Sequence, residues 1–337
     1  MNGSYRAAVA RIAAAVAPRA WSSLPDSDLL CVANASAGTR HRHASVIRLA
    51  AGLADQALPA AAELVWSESP ADARTRVLDR IAQAPGRRLL VLSLGGDGTH
   101  NHLLRTGLAA PDQLVFLRVP LGSGNDGADM PTLATLLREL PALMVPRWVP
   151  CVEVTGSGLH EVAFNIASLG LDAYVTLLHD RWRSLLPGNT YRLLVDLAVL
   201  RYDRAVRLGP MQLRGRDGDG AELLLPERAR SIVAVGVSGH RTYGDHMRVL
   251  PGDENVCVID QIGVVRKLQL KRQFYAGEHV HEPVVNMHRF RELSVGYAGR
   301  LPLQCDGEAR WIAQEHFPIR LLVRQRAVQV LAPARIA

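Results

Sequence analysis

The stretch RLLVLSLGGDGT, Arg88 to Thr99, sets the terms on which the rest of this sequence is read. Its first seven residues form a continuous apolar run, the pattern of a strand buried on both faces of a parallel sheet. Gly95 and Gly96 end that run abruptly, and a helical pattern follows over Asn101–Gly107. A strand that passes into a helix through glycines makes an anion site. Its backbone N–H groups are reachable without a Cβ in the way, and the helix start adds partial positive charge. Asp97 places a carboxylate beside them, suited to a divalent cation held directly or through water. The same turn also serves as a plain structural connection in α/β folds, so its surroundings carry the decision.

Those surroundings repeat the theme. LLCVANA (Leu29 to Ala35) reads as a buried strand that ends in the small-residue loop Ser36-Ala37-Gly38-Thr39. A helical stretch from Ala44 to Ala57, a strand from Glu63 to Trp66 and a helix from Ala71 to Gln83 lead to the glycine turn. Beyond it, QLVFLRVP (Gln113 to Pro120) is again strand, and Leu121-Gly122-Ser123-Gly124-Asn125-Asp126 follows. Strands alternating with helices at this spacing predict an open parallel sheet with helices on its faces. Beyond about Pro146 the texture changes to short strand-like runs separated by turns, among them Gly156-Ser157-Gly158 and Asp217-Gly218-Asp219-Gly220. One helical stretch, Tyr191–Arg204, interrupts them. The expectation is therefore α/β plus β: an N-terminal open parallel-sheet domain over 1–148, and an antiparallel β-sandwich-like domain over 149–310. The C-terminal strands, 311–337, would return to the first domain. The first 25 residues, with Arg6, Arg11 and Arg19 among alanines, read as an amphipathic surface helix.

Composition narrows the classes. At 337 residues, 48% of them hydrophobic, the chain has material for two packed cores. A formal charge of +7 favours anionic partners. Arginine supplies nearly all of the positive charge, since Lys267 and Lys271 are the only lysines. No basic patch interleaved with aromatics occurs, so nucleic acid is not an expected partner. Cys31, Cys151, Cys257 and Cys305 lie far apart without a CxxC pair, which argues against a zinc ribbon or a redox dithiol. The histidines lack metal-ligand spacing. No stretch reaches membrane-spanning length. A cytoplasmic protein with peripheral contact to an anionic membrane surface is expected.

Three small, polar, glycine-bearing loops thus follow three strands of one sheet, and in an open parallel sheet such loops gather at the strands' carboxyl ends, where ligands bind. GGDGT, then PLGSGND (Pro120 to Asp126), then QCDGE (Gln304 to Glu308) resembles the diacylglycerol kinase catalytic-domain family, which includes bacterial lipid kinases and sphingosine and ceramide kinases. NASAG (Asn34 to Gly38) resembles that family's NPxSG turn, and FNIASLGLDA (Phe164 to Ala173) the opening of its β domain. GGDGT by itself is shared with NAD kinases; the other two blocks give the resemblance its specificity.

The resemblance implies an ATP- and Mg²⁺-dependent ATP:alcohol phosphotransferase, acting on a lipid or lipid-like alcohol of the diacylglycerol or sphingoid type, with the nucleotide between the two domains. Nucleotide contacts would fall to Asn34, Ser36, Gly38, Thr39, Ser67, Gly95, Gly96, Gly98, Thr99, Asn101, Ser123, Asn125 and Asp126. Asp97 and Asp126 would organise Mg²⁺ and water. Either Glu308 or Asp97 would take the acceptor's proton. A homodimer is the expected assembly. Rival readings are a kinase for a soluble small-molecule hydroxyl and a catalytically silent nucleotide-binding relative. They draw on departures from the family pattern: His102 where a glutamate is usual, Gly127 where NDFA has its aromatic, and Pro251-Gly252-Asp253-Glu254-Asn255 in place of an acidic metal loop.

Overall fold

The computed structural model describes residues 3–34, 40–122, 130, 132–140, 144–182, 191–244 and 246–334. The chain divides into two compact units, Met1–Val149 with Arg326–Ala337, and Pro150–Gln325.

In the first unit the elements run α1 (Gly3–Ser22), β1 (Ser27–Asn34), α2 (Arg40–Ala51), β2 (Ala62–Ser67), α3 (Pro70–Gln83), β3 (Arg88–Gly95), α4 (Asp97–Gly107), β4 (Leu114–Pro120) and α5 (Leu133–Glu139). The strands pair in parallel in the order β2-β1-β3-β4. Helices cover them, so β4 is buried at every position and β3 at all but its first. α3 starts where its sequence dictates: the Ser69 side chain accepts a hydrogen bond from the Asp72 N–H, and Pro70 opens the first turn. α1 differs from the surface helix its arginines suggested. Tyr5, Val9, Ile12 and Val16 are buried together with Ala8, Ala13, Ala14, Ala17 and Ala20. Alanine lets a helix approach a sheet closely, so the helix hides most of its circumference while Arg6 and Arg19 keep to an exposed edge.

The second unit contains most of β5 (Met144–Gly156), then β6 (Leu159–Ala163), β7 (Ile166–Gly170), α6 (Leu171–Trp182), α7 (Tyr191–Ala205), β8 (Pro210–Arg216), β9 (Glu222–Gly236), β10 (Arg241–Tyr243), β11 (Met247–Leu250), β12 (Val256–Asp260), α8 (Val264–Ala276), β13 (Val285–His288), β14 (Glu292–Gly296), β15 (Leu301–Cys305), β16 (Glu308–Ile312) and the first part of β17 (Ile319–Pro333). Its pairings are antiparallel. One layer runs β16-β15-β7-β9 and continues from β9 to β12 and β13; the other runs β8-β14-β17. β9 belongs to both. Its first half pairs with β8 and its second with β7 and β12. The register against β8 shifts opposite Pro226 and Glu227, a bulge that accommodates the proline where the strand changes layers. Glu222–Gly236 is therefore one strand, although Pro226 and the charged residues after it divide its apolar pattern in two. Val152, Leu169, Leu213, Val233, Leu303 and Ile319 are among the residues of the core that this sandwich buries. The last strand, β17, then pairs in parallel with β4 through Gln329 and Val330, in the first unit.

Two helices depart from the sequence reading. α6 follows β7 with only Gly170, at φ 96°, to turn the chain. α8 opens with Val264 and Val265, which extend the apolar texture of β12 across Gly263 and so resemble strand; Gly277 in a left-handed conformation ends it.

Candidate functional site

In the first unit the strand registers bring the expected nucleotide residues to one edge. Asn34 pairs with Ser67, Ala33 with Leu94, and Gly95 with Pro120, so β1, β2, β3 and β4 end side by side. Two cross-loop links tie that edge together. The Asn34 side-chain amide donates to the Thr99 hydroxyl at 2.9 Å. The Gly95 carbonyl accepts from the N–H groups of Leu121 and Gly122, at 2.7 and 3.0 Å. The end of β1 and the turns after β3 and β4 thus share hydrogen bonds.

The glycine turn is tighter than the sequence suggested: α4 begins at Asp97, so Asp97, Gly98 and Thr99 form its first turn. Gly96 is the capping residue and offers no side-chain hydrogen bond to the helix N–H groups. A Cβ on Gly95 would stand 2.6 Å from Thr99 Cβ, whereas nothing lies within 4 Å of the place a Cβ on Gly98 would take. A helix start without a side-chain cap, next to open space, fits a phosphate group. Asn101 is buried, as is Ser67, whose hydroxyl donates to the Ala33 carbonyl at 3.3 Å. Ser36, Gly38 and Thr39, and likewise Ser123, Asn125 and Asp126, lie outside the described residues. Among the described residues no group of three or more His, Cys, Asp or Glu side chains is arranged to hold a metal. Behind the turn, His100 is buried with Nδ1 2.7 Å from Ser93 Oγ, which fastens α4 to β3. Burial, with Arg118 nearby, lowers its pKa to about 3, so the imidazole is neutral.

In the second unit Glu308 opens β16, exposed, across a two-residue turn from Cys305. Asp306 and Gly307 form that turn with φ 54° and 88°, the geometry Asp-Gly favours in hairpins. The turn is also pinned. Asp306 Oδ2 accepts from the Phe164 N–H at 2.5 Å, and Oδ1 from the Asn165 and Ile166 N–H groups at 2.9 and 3.1 Å. The Gly307 N–H donates to Gln304 Oε1 at 3.0 Å. Gln304 in turn donates through Nε2 to Ser168 Oγ at 2.8 Å and to Asp172 Oδ2 at 3.2 Å. The Ser168 hydroxyl donates to the same Asp172 oxygen at 2.5 Å. One polar chain thus runs from the Glu308 turn to Asp172.

Asp172 ends that chain at the wall of a cavity of about 70 Å³. Val175, Val195, Val199, Leu270 and Phe274 line much of the remainder. Burial raises the Asp172 pKa, and the hydrogen bonds from Ser168 and Gln304 offset part of that rise. Lys267 and Lys271 of α8 also line the cavity, and their ion pairs with Asp203 and, at 2.7 Å, Asp196 clamp α8 to α7. In the sequence Asp172 stands near the end of the apolar run FNIASLGLDA, Phe164 to Ala173. A carboxylate inside an apolar run was the available signal for it, while Gln304 and the two lysines gave none.

Two family models match the chain. The diacylglycerol kinase catalytic domain matches residues 28–142, and the YegS C-terminal NAD kinase beta sandwich-like domain matches residues 165–332. Three solved structures from Bacillus anthracis str. Sterne are similar in fold. A diacylglycerol kinase aligns with a TM-score of 0.56 at 14% identity, over 92% of this chain and 98% of that one. A putative diacylglycerol kinase gives 0.58 at 15%, over 92% and 99%. A further putative diacylglycerol kinase gives 0.57 at 14%, over 90% and 96%. No curated protein matches the sequence.

Proposed function

The chain belongs to the diacylglycerol kinase catalytic-domain family, and from that premise we propose that it transfers the terminal phosphoryl group of ATP to the hydroxyl of a lipid or lipid-like alcohol. The observation that carries the acceptor class is the mostly apolar lining of a cavity of about 70 Å³ whose one carboxylate, Asp172, is hydrogen-bonded through Gln304 to the turn that bears Glu308. Apolar walls suit a hydrocarbon tail, and a buried carboxylate suits a hydroxyl or ammonium donor near the reacting oxygen. A soluble polar acceptor would leave those walls without a partner.

ATP would supply the phosphoryl group, and a bound Mg²⁺ would disperse the charge on it. The chain's own part is positioning. The N–H groups at the start of α4, with Gly98 leaving room, would hold phosphate oxygens, and Asn34, through Thr99, keeps the end of β1 beside them. Asp97 would provide a carboxylate for Mg²⁺. Glu308 would take the acceptor proton as the oxygen–phosphorus bond forms and the bond to ADP breaks. Asp306 keeps Glu308 in place through its three backbone hydrogen bonds.

The test is label transfer from γ-labelled ATP with Mg²⁺ to a panel of long-chain and soluble alcohols. Long-chain acceptors should be labelled, and Glu308→Gln should lower turnover by about 10²- to 10⁴-fold, the range for a lost acid–base group. Asp97→Asn should likewise abolish transfer. Labelling of soluble alcohols alone would overturn the lipid reading. A fully active Glu308→Gln enzyme would move the base to Asp97, and nucleotide binding without transfer to any alcohol would favour a silent relative.

A further inference from the structure

α7 presents leucine to water. Leu193 and Leu200 are 63% and 54% exposed. With Leu197 and Arg204 they recur at intervals of four, three and four residues, which places all four on one helical face. The opposite face buries Leu194, Val195, Ala198, Val199 and Tyr202, and Val195 and Val199 line the cavity. A helix at a protein surface ordinarily turns polar side chains outward. Here the polar residues do something else. Asp196 and Asp203, the acids of α7, are neutralised by Lys271 and Lys267 of the neighbouring α8. The uncompensated charge is positive: among the described residues no carboxylate pairs with Arg201 or Arg204 of α7, nor with Arg272 of α8, and all three are exposed. α8 also exposes Val265, at 71%.

We infer that the outward face of α7 docks on an anionic bilayer surface, with Leu193 and Leu200 in the acyl boundary and Arg201 and Arg204 among the headgroups. The occupant follows from chemistry: leucines rimmed by unpaired arginines match a surface that is apolar beneath and negative above. The inference rests on the lipid-acceptor reading for its purpose, because the helix that would touch the bilayer also walls the apolar cavity. It adds a surface and a partner that the reaction itself does not require. Neither leucine lines the cavity, so docking is separable from acceptor binding.

The experiment is co-sedimentation of the full chain with vesicles of phosphatidylcholine, with and without phosphatidylglycerol. Binding should need phosphatidylglycerol and weaken with added salt. The pair Leu193→Ser, Leu200→Ser should lower vesicle affinity about tenfold or more, the loss expected when two half-exposed leucines no longer insert. Its thermal melt and its activity on an acceptor dispersed without vesicles should stay at the level of the unaltered chain. Arg201→Gln with Arg204→Gln should remove the preference for phosphatidylglycerol. Leu223→Ser with Leu224→Ser, an exposed apolar pair on β9, is the control and should bind like the unaltered chain. Absence of vesicle binding, or equal loss in the β9 control, overturns the inference. So does a change of sedimenting mass in the α7 variant without vesicles, which would assign the face to a second copy. A chain that binds vesicles through α7 yet phosphorylates no alcohol would sink the kinase reading and leave this one standing.

Discussion

Asp306→Asn is the substitution that most directly tests whether the Glu308 turn is held as described. Asparagine keeps the shape of the side chain and tolerates the left-handed φ of 54°, so backbone conformation is not what changes. What changes is the acceptor. The carboxylate serves three N–H groups, Phe164 through one oxygen and Asn165 and Ile166 through the other. The amide oxygen can still serve the pair, as a neutral acceptor. Its NH₂ group would then face the Phe164 N–H, leaving that donor without a partner. Loss of one charge-assisted bond with a stranded donor costs about 2–3 kcal/mol, and weakening of the other two adds about 0.5–1 kcal/mol each. The sum is about 3–5 kcal/mol. With a urea slope of about 2 kcal/mol/M, the unfolding midpoint of the second unit should fall by about 1.5–2.5 M. Hydrogen-exchange mass spectrometry of peptides covering 159–170, followed through a urea series, reads that unit alone. Glu308→Gln, at an exposed position, should change stability by less than about 0.5 kcal/mol, a midpoint shift under about 0.25 M, while removing turnover. A midpoint drop below about 0.5 M for Asp306→Asn would show that the three hydrogen bonds do not hold the turn, and the positioning argument would fail with them.

Asp172→Asn should stabilise the second unit at neutral pH. Its carboxyl is raised above its ordinary value in the folded chain, so stability is full below about pH 4 and declines as pH rises through the folded pKa. Removing the charge abolishes that decline, and urea midpoints at acidic and neutral pH in the two proteins check it. The first unit should behave in the opposite sense. His100 is lowered to about 3, so its contribution is present above about pH 6.5 and is lost at about 1.4 kcal/mol per pH unit as pH falls below that. His100→Gln should flatten this acid limb in a pH series of unfolding midpoints. Gly95→Ala would drive a Cβ to 2.6 Å from Thr99 Cβ and shift the first turn of α4, so nucleotide affinity measured by calorimetry should fall about tenfold or more with the fold retained. Gly170→Ala meets the Ser231 carbonyl oxygen at 2.3 Å with φ at 96°, and should leave the second unit unfolded by circular dichroism.

Much of this protein was legible without coordinates, for a definite reason. The parallel sheet, the glycine turn and the order of the three loops are written in local signals: continuous apolar runs, glycines at strand ends, and helix starts a few residues later. Local signals also marked the turn before Glu308, because Asp-Gly between two strand patterns is a hairpin turn; a role for Glu308 itself came only from the family resemblance. What local pattern misjudged was burial and continuity. The alanine helix α1 goes inside because small side chains permit close approach, which composition alone does not show. β9 runs through Pro226 because a bulge opposite Gln212 absorbs the proline. α8 escaped notice because valines at its start continue the texture of the strand before it. Tertiary structure alone joined Asp172 to the Glu308 turn, since Gln304 and Ser168 meet it across strands 136 residues apart in sequence. It alone also set Lys267 and Lys271 on α7's aspartates, leaving the opposite flank of that helix apolar and positive. A chain's periodicity records which way a residue faces its own element. Which distant side chain satisfies a buried carboxylate, or neutralises a surface one, is decided only when the elements pack.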